Sequence, residues 1–169
     1  IGTLTNVTQI DLAFARVRVK GALDFDSEKG LTWAEFSDFA LSEGDQAQLS
    51  VQPVENGGYK VILVGDQFDL KPMLKRYFAL DKTSTGSPQA TSVPQELVID
   101  ANLKRAIGYY GVTAYNVELG LDLKGEDLLD ASLQAQFTKG HTVSLTSNPT
   151  TGGRLMTVAF NDLGTVLRF

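Results

Sequence analysis

The sequence contains no cysteine. Thiol nucleophiles, thiolate metal sites and disulfides are excluded together, and a cysteine-free chain suits the cytoplasm and a periplasm equally. A single histidine, His141, excludes a His-rich metal site within the chain. No stretch approaches the roughly 18 apolar residues of a membrane-spanning helix, and no secretory leader is visible. Basic residues are in deficit: 15 Lys and Arg stand against 20 Asp and Glu, a net charge of -5. Nucleic acid is therefore not an expected partner, because phosphate binding needs a basic footprint.

The catalytic signatures are missing as well. There is no G-x-S-x-G, H-E-x-x-H, phosphate loop or dinucleotide-binding glycine pattern. His141 follows Gly140 at an expected hairpin turn, with nothing in the sequence to place a serine and a carboxylate beside it, and reads as a solvent-facing turn residue. Asp24 with Asp26, and Asp127 with Asp130, are carboxylate pairs of the kind that serve acid–base chemistry or calcium. Their spacing fits no calcium loop, and strand-end and turn solvation accounts for them. No catalytic, cofactor-binding or metal residue is assigned, and the chain is not expected to be an enzyme.

What the chain does have is 169 residues of ordinary globular composition, 43% hydrophobic and 21% charged, enough for a sizeable core. Ile1 at the start, and an apolar Thr165–Phe169 at the end, lead us to expect a piece of a longer chain. Period-two alternation dominates. Val117, Leu119, Leu121 and Leu123 alternate with Glu118, Asp122 and Lys124; Leu129, Ala131, Leu133, Ala135 and Phe137 alternate with polar residues; Val143 and Leu145 continue after Gly140. This is the pattern of antiparallel strands with one covered and one wetter face. In the first half, Ala15, Val17 and Val19 alternate with Arg16, Arg18 and Lys20. Leu31–Leu41 reads as a strand with a bulge or bend, because its alternation breaks. Gln48–Val54 and Tyr59–Val64 read as a hairpin across Asn56, Gly57 and Gly58.

Two segments leave the strand rhythm. Leu70, Met73, Leu74, Tyr77 and Phe78 form a helical stripe, with Asp69 as N-cap and Pro72 in the first turn. A second helix is expected from Asp162, with Leu163, Val166 and Leu167 covering a sheet face. Both helices follow the same order of elements: a Gly pair (Gly57–Gly58, Gly152–Gly153), a strand, then Asp-Leu-x-x-x-Leu-Lys/Arg. This points to an internal repeat. The expected fold is mainly β (α+β): two related antiparallel β-meander units, residues 1–80 and 95–169, each ending in a short amphipathic helix. Residues 81–94, with Pro88, Pro94 and many small polar residues, read as a flexible linker.

Other features have plain readings. Arg16, Arg18 and Lys20 make a basic stripe that suits lipid head groups or an acidic partner, and equally a charged face that blocks edge pairing. Trp33, Phe36 and Phe39 read as core packing before a ligand patch, and the sequon at Asn6–Thr8 is given no role.

Ala34–Asp45 (AEFSDFALSEGD), Gly58–Val61 (GYKV) and Gly65–Leu74 (GDQFDLKPML), with Val98–Gly108 (VIDANLKRAIG), Asn116–Val117 and Asn161–Phe169 (NDLGTVLRF), resemble the C-terminal region of AsmA-like proteins of Gram-negative bacteria over roughly residues 14–169. The resemblance implies a cell-envelope protein anchored in the inner membrane by a segment outside this chain, with its body in the periplasm. It implies a role in phospholipid transport between membranes and in outer-membrane biogenesis. The wider group, including the YhdP and TamB types, is thought to form long β-structured grooves whose apolar inner faces carry acyl chains. Family members have no catalytic residues to transfer. The expected partners are phospholipid acyl chains and neighbouring repeats of the parent chain. The candidate lipid-facing, or core, residues are Val117, Leu119, Leu121, Leu123, Leu129, Leu133 and Phe137. The alternative is a structural or protein-interaction module of the same envelope protein, with a closed core and no lipid site. An enzyme or an unrelated binding domain is the third reading.

Overall fold

Alternating chains separated by Gly-bearing turns pair with their neighbours in order, because a short turn brings the next strand back alongside the last. The computed structural model, which describes residues 6–55, 57–72, 96–125 and 127–169, has this form. Ten strands lie in one sheet in sequence order: β1 (Asn6–Phe14), β2 (Val17–Asp26), β3 (Gly30–Ala40), β4 (Gln46–Pro53), β5 (Tyr59–Asp69), β6 (Leu97–Ile107), β7 (Thr113–Lys124), β8 (Asp127–Gln136), β9 (Thr142–Thr150) and β10 (Gly153–Phe160). One short helix, α1 (Leu163–Val166), follows β10. The expected mainly β fold is present.

Every neighbouring pair is antiparallel except β5 and β6, which run parallel from Tyr59↔Leu97 to Asp69↔Ile107. The strands of the two expected units therefore join in a single continuous sheet. The odd-numbered strands of the first half and the even-numbered strands of the second all finish at the same end of the sheet, which we call the upper end. The seam between β5 and β6 is sealed by backbone bonds and by two ion pairs, Lys60 Nζ to Asp100 Oδ2 and Lys104 Nζ to Asp66 Oδ1, both 2.7 Å. Its first bond, Tyr59 N–H to Glu96 O at 2.9 Å, depends on Gly58. A Cβ on Gly58 would lie 1.8 Å from the Glu96 carbonyl oxygen.

The core sits toward the upper end. Ala47, Leu63, Phe68, Leu103, Ala106, Ala114, Val117, Ala135, Phe137 and Val143 form one buried cluster, and Leu70, Val166 and Phe169 pack against it. The turn after β3 is tied to the end of β5 by the fully buried Asp45. Its carboxylate accepts from the N–H groups of Leu41, Ser42 and Asp69 at 2.8 to 3.0 Å. Three N–H donors satisfy a carboxylate that would otherwise be costly to bury.

At the start of the first expected helix, Asp69 accepts from Lys71 N–H at 2.9 Å and Leu70 packs on the core. Met73, Leu74, Tyr77, Phe78 and the linker 81–94 lie outside the described residues. The second helix starts at its expected cap, with Asp162 Oδ1 accepting from Gly164 N–H at 3.0 Å. Its packing face differs from the expectation. Leu163 and Leu167 are exposed, while Val166 and Phe169 meet the core, with the Phe169 ring edge-on to Phe137 at 5.6 Å. The helix has a single turn, so its orientation is set by its ends, where Phe169 O accepts from Tyr109 N–H at 2.6 Å. That anchor selects the 166/169 stripe over the 163/167 stripe.

Candidate apolar binding face

Residues opposite one another in a β-ladder share a face, so the register traces each face across the sheet. Starting from Leu121 on β7, the partners are Ile99 on β6 and Ala131 on β8; Ile99 leads to Val61 on β5, and Val61 to Val51 on β4. Val51 leads to Ala34 on β3 and then to Leu23 on β2 and Val7 on β1. On the other side, Leu119 pairs with Leu133, Leu133 with Leu145 on β9, and Leu145 with Val158 on β10. One apolar face thus crosses all ten strands.

The predicted residues fall on this face in two environments. Val117 and Phe137 are buried in the core cluster. Leu119, Leu121, Leu123 and Leu133 are half-buried, and of these Leu133 touches the cluster. Leu129 departs from simple alternation. The register steps from Asp122↔Asp130 to Leu123↔Leu128, so Leu128 takes the place opposite Leu123 and Leu129 sits in a bulge, exposed. An extra residue in one strand produces such a shift, and alternation cannot reveal it. Sequence reasoning missed Leu128, and also Val61, Ile99 and Ala101, whose place on this face depends on the parallel seam.

The opposite face is polar. Lys60, Asp66, Asp100, Asn102, Lys104, Glu118, Ser132 and Gln134 line it, with Ile62 and Val64 among them. A cavity of about 520 Å³ opens on this side, bordered by Asp38, Gln48, Val64, Asp66, Asn102 and Lys104. Asp122 and Asp130 lie directly opposite each other; Asp130 is paired with Arg154 at 2.8 Å, and Asp122 Oδ1 is buried without a partner among the described residues.

The basic stripe is neutralised locally. Arg16 meets Glu43 at 3.7 Å, Arg18 meets Asp38 at 3.3 Å, and Lys20 meets Asp11 at 3.5 Å. Asp24 accepts from Asn6 Nδ2 and the Thr32 hydroxyl, and Asp26 accepts from the N–H groups of Glu28 and Lys29. The Lys29 and Glu28 hydrogen bonds hold the Asp26 pKa below the ordinary value. Asp26 thus holds the β2–β3 turn, while Asp24 ties β2 to its neighbours β1 and β3. Phe36 and Phe39 lie on the apolar face, where Phe39 stacks on Phe68 at 6.0 Å. Trp33 does not join them; its register places it with Asp24 on the other face, and it is exposed. His141 is less exposed than a free turn residue, because its Nε2 sits 3.6 Å from Asp162 Oδ2.

Among the described residues, no group of three or more His, Cys, Asp or Glu side chains is placed to hold a metal, and no helix is long and apolar enough to cross a membrane. No protein-family model, curated protein or solved structure matches the chain.

Proposed function

We propose that this chain is a non-catalytic, lipid-handling segment of a periplasmic AsmA-like envelope protein, with acyl chains lying along its apolar face. The observation that carries the reading is the run of apolar residues across ten strands. Among the described residues outside the strands, Leu70, Val112, Val166 and Phe169 pack against its buried cluster, all at the upper end. The lower stretch, including Val61, Ile99, Leu121 and Leu123, is half-buried. A contiguous apolar face of this extent marks a binding surface. An acyl chain suits it, since each buried CH₂ contributes about 0.8 kcal/mol with no directional partner. The sequence resemblance points the same way. The five-strand stretches β1–β5 and β6–β10, each ending in a Gly pair, a strand and Asp-Leu, are read as the two related units of the parent's repeat.

A second reading is favoured by the buried cluster around Val117 and Phe137: a structural or interaction module whose face is closed core. Leu121→Asp separates the two. On an open face, the variant stays folded and loses the photo-crosslinking to phospholipid, and the co-purified lipid in native mass spectra, that the unmodified chain shows. In a closed core, an unpaired carboxylate is buried and the domain unfolds. Unfolding, together with no lipid on the unmodified chain, would refute lipid handling.

A further inference from the structure

We propose that the upper end of the sheet, where the apolar face is closed by core packing, docks on an anionic phospholipid bilayer and holds the open lower stretch of that face beside a membrane. The inference deepens the lipid-handling reading, on which it rests, by naming the membrane surface at which the chain would work.

It starts from where the most exposed apolar side chains lie. Tyr110 is 88% exposed, Phe14 82% and Leu167 75%, and no other large hydrophobic side chain among the described residues exceeds 61%. Phe14 closes β1, Tyr110 sits in the turn between β6 and β7, and Leu167 follows α1. The strand directions bring all three to the upper end, and Leu41 and Leu163, also exposed, lie there too. Tyr110 has φ 55°, a left-handed conformation that a bulky residue adopts at a cost, and the turn holds its ring out into solvent. The second half of this end is one laced body. Tyr109 donates its hydroxyl to Lys71 O at 3.1 Å and its N–H to Phe169 O at 2.6 Å.

The two ends differ in charge. The upper turns and α1 balance Arg16, Lys71, Lys139 and Arg168 against Glu43, Asp45, Asp69 and Asp162. Arg16 is paired with Glu43 and Lys71 with Asp69, while Asp45 is engaged by three backbone N–H groups and Asp162 by the start of α1, so Lys139 and Arg168 are the cations there without a carboxylate partner among the described residues. The described turns at the lower end carry Asp26, Glu28, Glu55, Glu96 and Asp127 against Lys29 and Lys124, and the exposed apolar residues nearest to them, Phe25 and Leu155, reach 46% and 58%. Aromatic and leucine tips interleaved with cations fit the headgroup region of a bilayer, where amphipathic rings and basic side chains are both favoured.

The test floats the unmodified chain with vesicles of phosphatidylethanolamine and phosphatidylglycerol, and with phosphatidylcholine vesicles as the uncharged arm. The expected result is flotation with the anionic vesicles that weakens in salt and is lost in the Phe14→Ser, Tyr110→Ser, Leu167→Ser triple variant, with an unchanged melting temperature. Orientation is read with bromine-labelled lipids. Trp33, the only tryptophan, lies near the lower end of β3 and should not be quenched, whereas a Tyr110→Trp, Trp33→Phe variant should be quenched and blue-shifted. No flotation, equal flotation of the triple variant, or equal quenching of Trp33 would overturn the proposal. If the triple variant ceases to float yet keeps co-purified lipid, membrane docking and acyl-chain carriage are separate functions; flotation by a chain that never carries lipid would sink the carriage reading alone.

Discussion

Leu63 on β5 and Val158 on β10 each face a leucine on the preceding strand, Leu49 and Leu145 respectively, and each lies on the apolar face. Leu63 is buried, while Val158 is 49% exposed. Both strands follow a Gly pair and lead into an Asp-Leu helix start, so their local sequences carry the same instructions. The difference is the second neighbour. β5 has β6 along its whole length, with Ala101 opposite Leu63 and Ala106 opposite Phe68. β10 is the last strand of the sheet, and every residue in it is exposed. Alternation therefore chooses which face a residue points to, and the flanking strand decides whether that face is dry. β10 also lacks the usual edge protection: it has no proline, and Arg154 is its one charged residue.

The comparison is broken most directly by truncating the matched positions. Leu63→Ala should lower stability by roughly 2–5 kcal/mol, the range for a buried leucine that leaves a cavity. Val158→Ala should change it by only about 0.5 kcal/mol, as for an exposed site. Urea denaturation of the two variants checks this. Similar losses in both would mean that β10 is covered in solution, by a second copy or by another segment.

A smaller contrast lies in the Gly pairs. Gly58 approaches Glu96 too closely for any side chain, whereas a Cβ on Gly152 would meet nothing within 4 Å, and Gly152 has no left-handed φ. Gly58→Ala should cost roughly 1–3 kcal/mol by forcing the entry to the β5–β6 seam apart. Gly152→Ala should be neutral. Amide hydrogen exchange localises the effect: Tyr59 and the start of β6 should lose protection in the first variant alone. Uniform loss across the sheet would place the strain elsewhere.

These contrasts also mark the limit of what period-two patterning conveys. The strand runs in Gln48–Val54, Tyr59–Val64, Val117–Leu123 and Leu129–Phe137 were legible because each half-buried strand writes its face into every second residue. An irregularity in β3, a bulge or a bend, was legible because the rhythm broke there, and the Asp162 cap because its chemistry is local. The parallel pairing of β5 with β6 was not legible, since nothing in a strand's own sequence names a partner beyond a long connection. It is that pairing which brings Val61, Ile99 and Leu121 onto a common face. Bulges hid the rest. A one-residue shift between Phe36 and Phe39 brings those two rings onto one face and leaves Trp33 on the other, and another puts Leu128 in the place expected for Leu129. β1 escaped notice because its alternation slips between Val7 and Ile10, an irregularity that an edge strand tolerates.

The finest contrast is electrostatic, between the seam and the strand end. Asp66, on β5, has its pKa lowered chiefly by the hydrogen bond and charge of Lys104 across the seam. Asp162, after β10, has its pKa lowered first by the Thr165 hydroxyl, with backbone N–H groups and the nearby His141 adding to it. Both folded-state values lie below that of an ordinary aspartate. Each carboxylate therefore contributes stability that is fully present above the ordinary aspartate range and is lost as pH falls through its lowered folded-state value. The two should respond differently to salt. Attraction between an exposed aspartate and lysine is screened, whereas a short hydrogen bond from a hydroxyl 2.6 Å away is not. In a carboxyl-carbon NMR titration, high salt should remove the charge part of the Asp66 shift, moving it partway back toward the ordinary value, and leave Asp162 nearly unmoved. Lys104→Ala should reproduce the salt effect on Asp66, and Thr165→Val should raise Asp162 alone. A shift of Asp66 that survives both salt and Lys104→Ala would mean that the charge pair does not hold the seam, leaving backbone bonds and Leu63, Phe68 and Leu103 to do so.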